Sequence, residues 1–175
     1  MSKYIEGELH FDFPDELIWE ELDKQGIQLP KGMALVDCVI ERENDILLVE
    51  IKDPSDTGGN EKERKRYLKR LQEGSVITDE LTPKIRDSFT FLHLMHSDQK
   101  ELKYIVLLGL EEYDDITKKA LLGNFKNQLL NNIKQETVTP WKKIYLKDCA
   151  VMTVEIWNQY FSQWPVIRVS QSGAQ

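Results

Sequence analysis

Apolar and polar positions alternate most clearly over residues 35–53, where Leu35-Val-Asp37-Cys-Val-Ile and Ile46-Leu-Leu-Val-Glu50-Ile-Lys52 form two strand-like runs around an Asn44-Asp45 turn. Strand side chains alternate with period two, so Glu50 and Lys52 project from the same face. The hairpin register decides whether Asp37 joins them. A two-residue loop at Asn44 and Asp45 sets Asp37 opposite Lys52, and a four-residue loop from Arg42 to Asp45 sets it opposite Glu50; a three-residue loop turns it to the other side. Leu35, Val39, Ile46 and Leu48 share the face of Glu50, while Ala34, Val36, Cys38, Ile40, Leu47, Val49 and Ile51 fill the other. A hairpin apolar on both faces is normally covered on both sides, as in an α/β sheet.

The same patterning divides the rest of the chain. Residues 4–13 alternate loosely, as a short edge strand does. Pro14 suits the first turn of a helix over 14–24, with Asp15 and Glu16 near its positive end. Leu17, Ile18, Trp19 and Leu22 define its buried arc; Glu21 falls inside that arc, and Glu16 and Glu20 fall outside. A loop follows Lys52 and opens into a helix over about 61–72 that buries Tyr67, Leu68 and Leu71. Residues 74–82 are predicted as a further loop, and Pro83 starts a helix with Ile85, Phe89, Leu92 and Met95 inward. The apolar run over 103–110 predicts a buried strand beside the hairpin. An acidic turn leads into a helix ending near Ile133, with Ile116, Ala120, Leu121, Phe125, Leu129 and Ile133 inward. After the break at Pro140 come a short strand over 141–146, a helix over 151–161, a strand over 164–169 and a polar tail over 170–175. These elements predict a single α/β domain spanning 1–175, with a mixed central β-sheet and helices on both faces. Its motif core covers about 14–110, and 111–169 are additions.

Composition narrows the function classes only a little. A chain of 175 residues, 41% hydrophobic and 30% charged, suits one soluble domain, and no apolar run approaches a membrane span. The opening residues lack a signal peptide's apolar core, so a cytoplasmic protein without a membrane partner is expected. Cys38 and Cys149 both stand in apolar company, which predicts two free thiols. His93 and His96 are three apart, but neither a cysteine nor a third histidine stands near them, and packing or surface roles explain them. The formal net charge of −7 runs against the basic footprint of a nucleic-acid-binding protein. Distribution matters more than the total: Lys62, Arg64, Lys65, Arg66, Lys69 and Arg70 put six of the 23 basic residues on one predicted helix. Lys62, Lys65, Arg66, Lys69 and Arg70 lie opposite its buried side, where a phosphate backbone could rest or water alone could solvate them.

Two carboxylates and an ammonium in an apolar hairpin are costly unless paired or bound to a metal. One account is a cross-strand ion pair between Asp37 and Lys52 in an unrelated α/β fold. The other starts from a resemblance: Asp37 followed by Glu50-Ile51-Lys52 on adjacent strands, after an acidic amphipathic helix, resembles the PD-(D/E)XK nuclease superfamily of restriction-endonuclease-like fold. The resemblance covers about 14–70, with Val36 in place of the family's Pro. It implies that Asp37, Glu50 and the Ile51 carbonyl hold Mg²⁺, or Mn²⁺ as a substitute, and that Lys52 assists the attacking water. Many members bring an additional carboxylate from the first helix, and Glu21 is the candidate here, Glu20 the alternative. The expected function is metal-dependent hydrolysis of nucleic acid, DNA before RNA, by a chain that could pair as a homodimer. The alternative is a catalytically silent module of the same fold that binds nucleic acid or a protein.

Overall fold

In the computed structural model, which describes residues 2–169 apart from positions 25, 27, 57, 59, 138 and 140, the chain begins with a hairpin rather than one strand. Ser2–Glu6 (β1) and Leu9–Phe13 (β2) pair antiparallel around Gly7, whose φ of 55° is a left-handed value that favours glycine. Pro14, Asp15 and Glu16 then form a turn. The helix expected over 14–24 is absent, and Ile18–Glu21 is a strand, β3. The reason is visible in the pattern: Trp19 and Glu21 are half-buried while Ile18 and Glu20 are exposed, a period of two that a four-residue stretch cannot distinguish from a helical arc.

β3 pairs antiparallel with Cys38–Glu41 (β4), and β4 with Asp45–Lys52 (β5). Glu41 faces Ile46, and that register continues to set Asp37 opposite Glu50, the arrangement expected of the Arg42–Asp45 loop. Arg42 N–H donates to the Asp45 carbonyl at 2.9 Å, and the Arg42 guanidinium grips the Asp45 carboxylate, which closes the turn. Glu101–Leu108 (β6) lies beside the hairpin, as expected, and runs parallel to β5; Asp148–Thr153 (β7) lies parallel to β6, giving a mixed five-stranded sheet ordered β3-β4-β5-β6-β7.

The crossover from β5 to β6 carries Glu61–Glu73 (α1) and Thr82–Leu94 (α2). Asn60 caps the first turn of α1, and Gly74 ends it in a left-handed conformation. The loop expected over 74–82 is instead helical, with a π turn over Ile77–Leu81 running straight into α2. Burial of Val76, Ile77 and Leu81 explains why this stretch is ordered. The crossover from β6 to β7 is Asp115–Lys134 (α3), capped by Asp114, and it buries Leu121, Phe125, Leu129 and Ile133 as expected; Ile116 and Ala120 are exposed, as is Met95 beyond α2. Residues 141–146 hold no strand; regular pairing starts at Asp148, and the next helix, Val154–Tyr160 (α4), begins three residues later than expected. Val166–Arg168 (β8) pairs with β2 to complete a three-stranded sheet. Pro140 and the tail 170–175 lie outside the described residues.

The two faces of the central sheet are covered differently. Leu48, Tyr104, Val106 and Leu108 pack with Leu71, Ile85, Phe125 and Leu129 of the three longer helices and with Leu81 of the π turn. Leu47, Val49, Ile51, Ile105 and Leu107 pack with Tyr4, Phe11, Phe13 and Trp157. The second face is thus closed by the small sheet and the short α4, where helices alone were expected. Ala34 is exposed, and Val36 joins the helix-side cluster, because residues 34–37 precede the regular strand and its alternation. Arg168 fastens the small sheet to the exit of β5, with Nη1 2.9 Å and Nη2 2.7 Å from the Asp53 oxygens, 3.0 Å from Glu8 and 2.9 Å from Glu111. Gly109 lies beneath this cluster, where a Cβ would run into the Asp53 carboxylate and the Arg168 guanidinium. Both cysteines are free and buried, and no described helix is long and apolar enough to cross a membrane.

Candidate functional site

Glu50 and Lys52 stand two residues apart on β5, so both face the helix side, near the end where β5 and the parallel β6 leave the sheet. Ligand sites of parallel sheets favour that end. Asp37 stands immediately before β4, across from Glu50. Its Oδ2 accepts from the Ile51 backbone N–H at 2.5 Å, which fixes the carboxylate at the strand exit. Helix α2 is tied over the same place: Ser88 Oγ accepts from Val36 N–H at 2.9 Å, and Asp87 Oδ2 from Ala34 N–H at 3.1 Å. These two bonds bring the first turn of α2, and with it Lys84, above Asp37.

The ammonium of Lys84 lies 2.9 Å from Glu50 Oε1, 3.3 Å from Asp37 Oδ1 and 3.5 Å from Asp23 Oδ2. Lys52 lies 3.0 Å from Glu50 Oε1 and 3.0 Å from Glu80 Oε2, and Arg70 reaches the other oxygen of Glu80 at 2.6 Å. The cluster is therefore a chain of alternating charges, Asp37, Lys84, Glu50, Lys52, Glu80 and Arg70. Glu50 is fully buried and meets both ammonium groups through Oε1, and among the described residues its Oε2 has no hydrogen-bond partner. Burial first, and then the neighbouring Asp37, pushes the Glu50 carboxyl up to about 7, while Lys52 and Lys84 pull it part of the way back. Burial would lower Lys52 and Lys84, but the facing carboxylates outweigh it and hold both above the ordinary lysine value. Glu80 is held below the usual carboxylate range, because Lys52 and Arg70 outweigh its burial.

Sequence reading located Asp37, Glu50 and Lys52 together on this face. It misplaced the additional carboxylate. Glu21 pairs with Cys38 and, two residues from Trp19, lies on the side of the small sheet, away from Glu50. Glu20 is exposed and paired with Lys24. The acid this segment brings to the site is Asp23, held there because the Asp37 carbonyl accepts from the N–H groups of Leu22 at 2.9 Å and Asp23 at 3.5 Å. Of the basic residues on α1, Lys62, Lys65, Arg66 and Lys69 are exposed, whereas Arg70 turns in to Glu80. Lys65 and Lys69 share charge with Glu61 and Glu73 along the helix. Beside α1 an open depression is lined by Asp53, Pro54, Asp56, Glu63, Arg64 and Tyr67, and Arg64 Nε and Tyr67 Oη are buried without hydrogen-bond partners among the described residues. Lys84, Glu80 and Asp23 were not foreseen, since they meet Glu50 only through the packing of α2 and the path of β3.

The donor chemistry suits a hard divalent cation: three carboxylates reach a single positive centre, and another buried oxygen, Glu50 Oε2, has no hydrogen-bond partner among the described residues. The spacing is that of an ammonium. Contacts of 2.9–3.5 Å surround Lys84, whereas Mg²⁺ or Ca²⁺ draws oxygens to about 2.0–2.6 Å. Accordingly, among the described residues no three His, Cys, Asp or Glu side chains stand close enough to hold a metal ion as they lie. No family model, curated protein or solved structure matches this chain.

Proposed function

We propose that this chain is a metal-dependent nuclease of the PD-(D/E)XK type, hydrolysing phosphodiester bonds in nucleic acid, with DNA as the favoured substrate. The observation that carries the reading is the convergence of Asp37 and Glu50 on one cation position, with Lys52 3.0 Å from the same Glu50 oxygen. Asp37, Glu50 and the Ile51 carbonyl would hold Mg²⁺ or Mn²⁺, which supplies an acidified water and neutralises charge on the phosphate. Lys52 is a cation and cannot be a ligand; it is fixed between Glu50 and Glu80, and from there its charge would act on the water and the oxyanion that develops at phosphorus. The exposed Lys62, Lys65, Arg66 and Lys69 on α1, the helix that follows β5, offer the phosphate backbone a basic face.

Lys84 favours a second reading, a catalytically silent module of this fold that binds nucleic acid or a protein. A lysine salt-bridged to both carboxylates can be a permanent internal counterion. Mn²⁺ titration and cleavage of plasmid and linear DNA separate the two. In the nuclease, Asp37→Asn loses Mn²⁺ uptake and cleavage together. Lys52→Ala keeps its Mn²⁺ and its fold but loses on the order of 10²- to 10³-fold in rate. A folded wild-type protein that neither takes up Mn²⁺ through Asp37 nor cuts DNA would establish the silent reading. Unfolding of Lys52→Ala would mark the lysine as a structural partner of Glu50 instead.

A further inference from the structure

We propose that Lys84 is a resident counter-cation that keeps the Asp37–Glu50 site closed to divalent metal until its ammonium moves outward onto Asp23, so that metal loading is a displacement. The inference rests on the reading of Asp37 and Glu50 as metal ligands. Three observations lead to it. The ammonium occupies the one point that Asp37 Oδ1 and Glu50 Oε1 share, at 3.3 and 2.9 Å. A divalent ion at that point and an ammonium there are mutually exclusive, since both need the same oxygens and like charges repel. The third carboxylate around Lys84 differs from the other two: Glu50 is fully buried and Asp37 nearly so, whereas Asp23 is half exposed and already within 3.5 Å. A lysine has four rotatable methylene bonds, and its backbone on α2 need not move for its head to pass from two inner carboxylates to one at the rim.

The sequence neighbourhood fits this role. Lys84 follows Pro83 in the first helical turn of α2, and the helix is anchored one turn later by Asp87 and Ser88 to residues 34–36. The anchor holds the Cα of Lys84 in place while leaving the side chain free to exchange partners. Lys52 has no such exit: its two partners, Glu50 and Glu80, are respectively buried and tied to Arg70. The two lysines of the site therefore divide the work, Lys52 staying and Lys84 leaving.

The test is Mn²⁺ binding to the full chain by calorimetry. Lys84→Met should tighten Mn²⁺ uptake at least about tenfold, because the metal no longer displaces a cation. Tighter uptake in Lys84→Met than in a wild-type chain that also binds Mn²⁺, lost in Lys84→Met/Asp37→Asn, supports displacement; Asp37-dependent uptake by Lys84→Met beside none in the wild type overturns displacement and marks Lys84 as a permanent counterion. Equal, Asp37-dependent affinity in wild type and Lys84→Met overturns displacement and leaves the metal site standing. Absence of Asp37-dependent uptake in both overturns the metal site and displacement together. Asp23→Asn should weaken uptake more in the wild-type background than in Lys84→Met, and equal weakening would overturn the transfer to Asp23. Should Lys84→Met fail to fold, the wild-type protein still decides: the side-chain ammonium resonance of Lys84, followed by NMR, should shift on saturation with Mg²⁺, and an unchanged resonance overturns the proposal.

Discussion

Glu50 is a buried carboxylate beside another, and its effect on stability has a definite sign. Its carboxyl ordinarily titrates near 4.5 and is pushed up to about 7 in the fold. The folded protein therefore binds this proton more tightly than the unfolded chain does. From about pH 4.5 to 7 the unfolded state releases it first, so the contribution of Glu50 to stability falls as pH rises and its penalty is complete above 7. The size is roughly 3 kcal/mol. Urea midpoints measured without divalent metal between pH 5 and 8 should decline across this window through Glu50, and Glu50→Gln should remove that part of the decline. An identical slope in the two proteins would mean that another group titrates. That Asp37, Glu50 and Lys52 share a face was legible in the sequence, because strand alternation and a short turn leave few registers. Lys84 was not: it stands 34 residues from Glu50, and nothing short of packing α2 on the sheet brings it there.

Among the elements, α1 offers the clearest test of substrate. Lys65, Arg66 and Lys69 are exposed, and reversing all three to Glu removes positive charge without touching the core. If this face carries DNA, affinity should fall on every sequence, and its dependence on salt should become shallower, because phosphate contacts release counterions and read no bases. Binding and salt slope equal to wild type would return the face to solvation by water. Arg70 should be left out of that experiment, since its partner is Glu80 and its loss would loosen Lys52. The long helices and the eight-residue β5 and β6 were readable because many turns of one period outvote local noise. β3 was not, because Pro14 and two acids are equally good at starting a helix and at making the Asp15-Glu16 turn that the chain adopts. The π turn over Ile77–Leu81 was hidden for a related reason. Its Gly-Ser start and polar Thr78-Asp79-Glu80 centre read as a loop, while its order comes from Val76, Ile77 and Leu81 reaching a core that only the full fold supplies.

At the scale of the whole molecule, two sheets enclose one face of the hairpin, and Arg168 is the bolt between them. Arg168→Met should remove the cation that half-buried Asp53 shares with buried Glu8 and cost roughly 3–5 kcal/mol, read as a lowered urea midpoint. A loss below about 1 kcal/mol would show that the apolar contacts of β8 suffice. The pairing of β8 with β2 also bears on how the protein is made. Leu9 and Arg168 are partners far apart in the sequence, whereas β4 and β5 are joined by a local turn. On a ribosome the hairpin carrying Leu9, Phe11 and Phe13 emerges before β8 and waits for it while the residues between them are synthesised. Its open edge is in the meantime a template for any extended segment, including the same hairpin of another nascent copy. Slow codons or a stalled ribosome between β2 and β8 should therefore favour aggregation over productive folding. A chaperone that shields residues 9–13 during synthesis should relieve it.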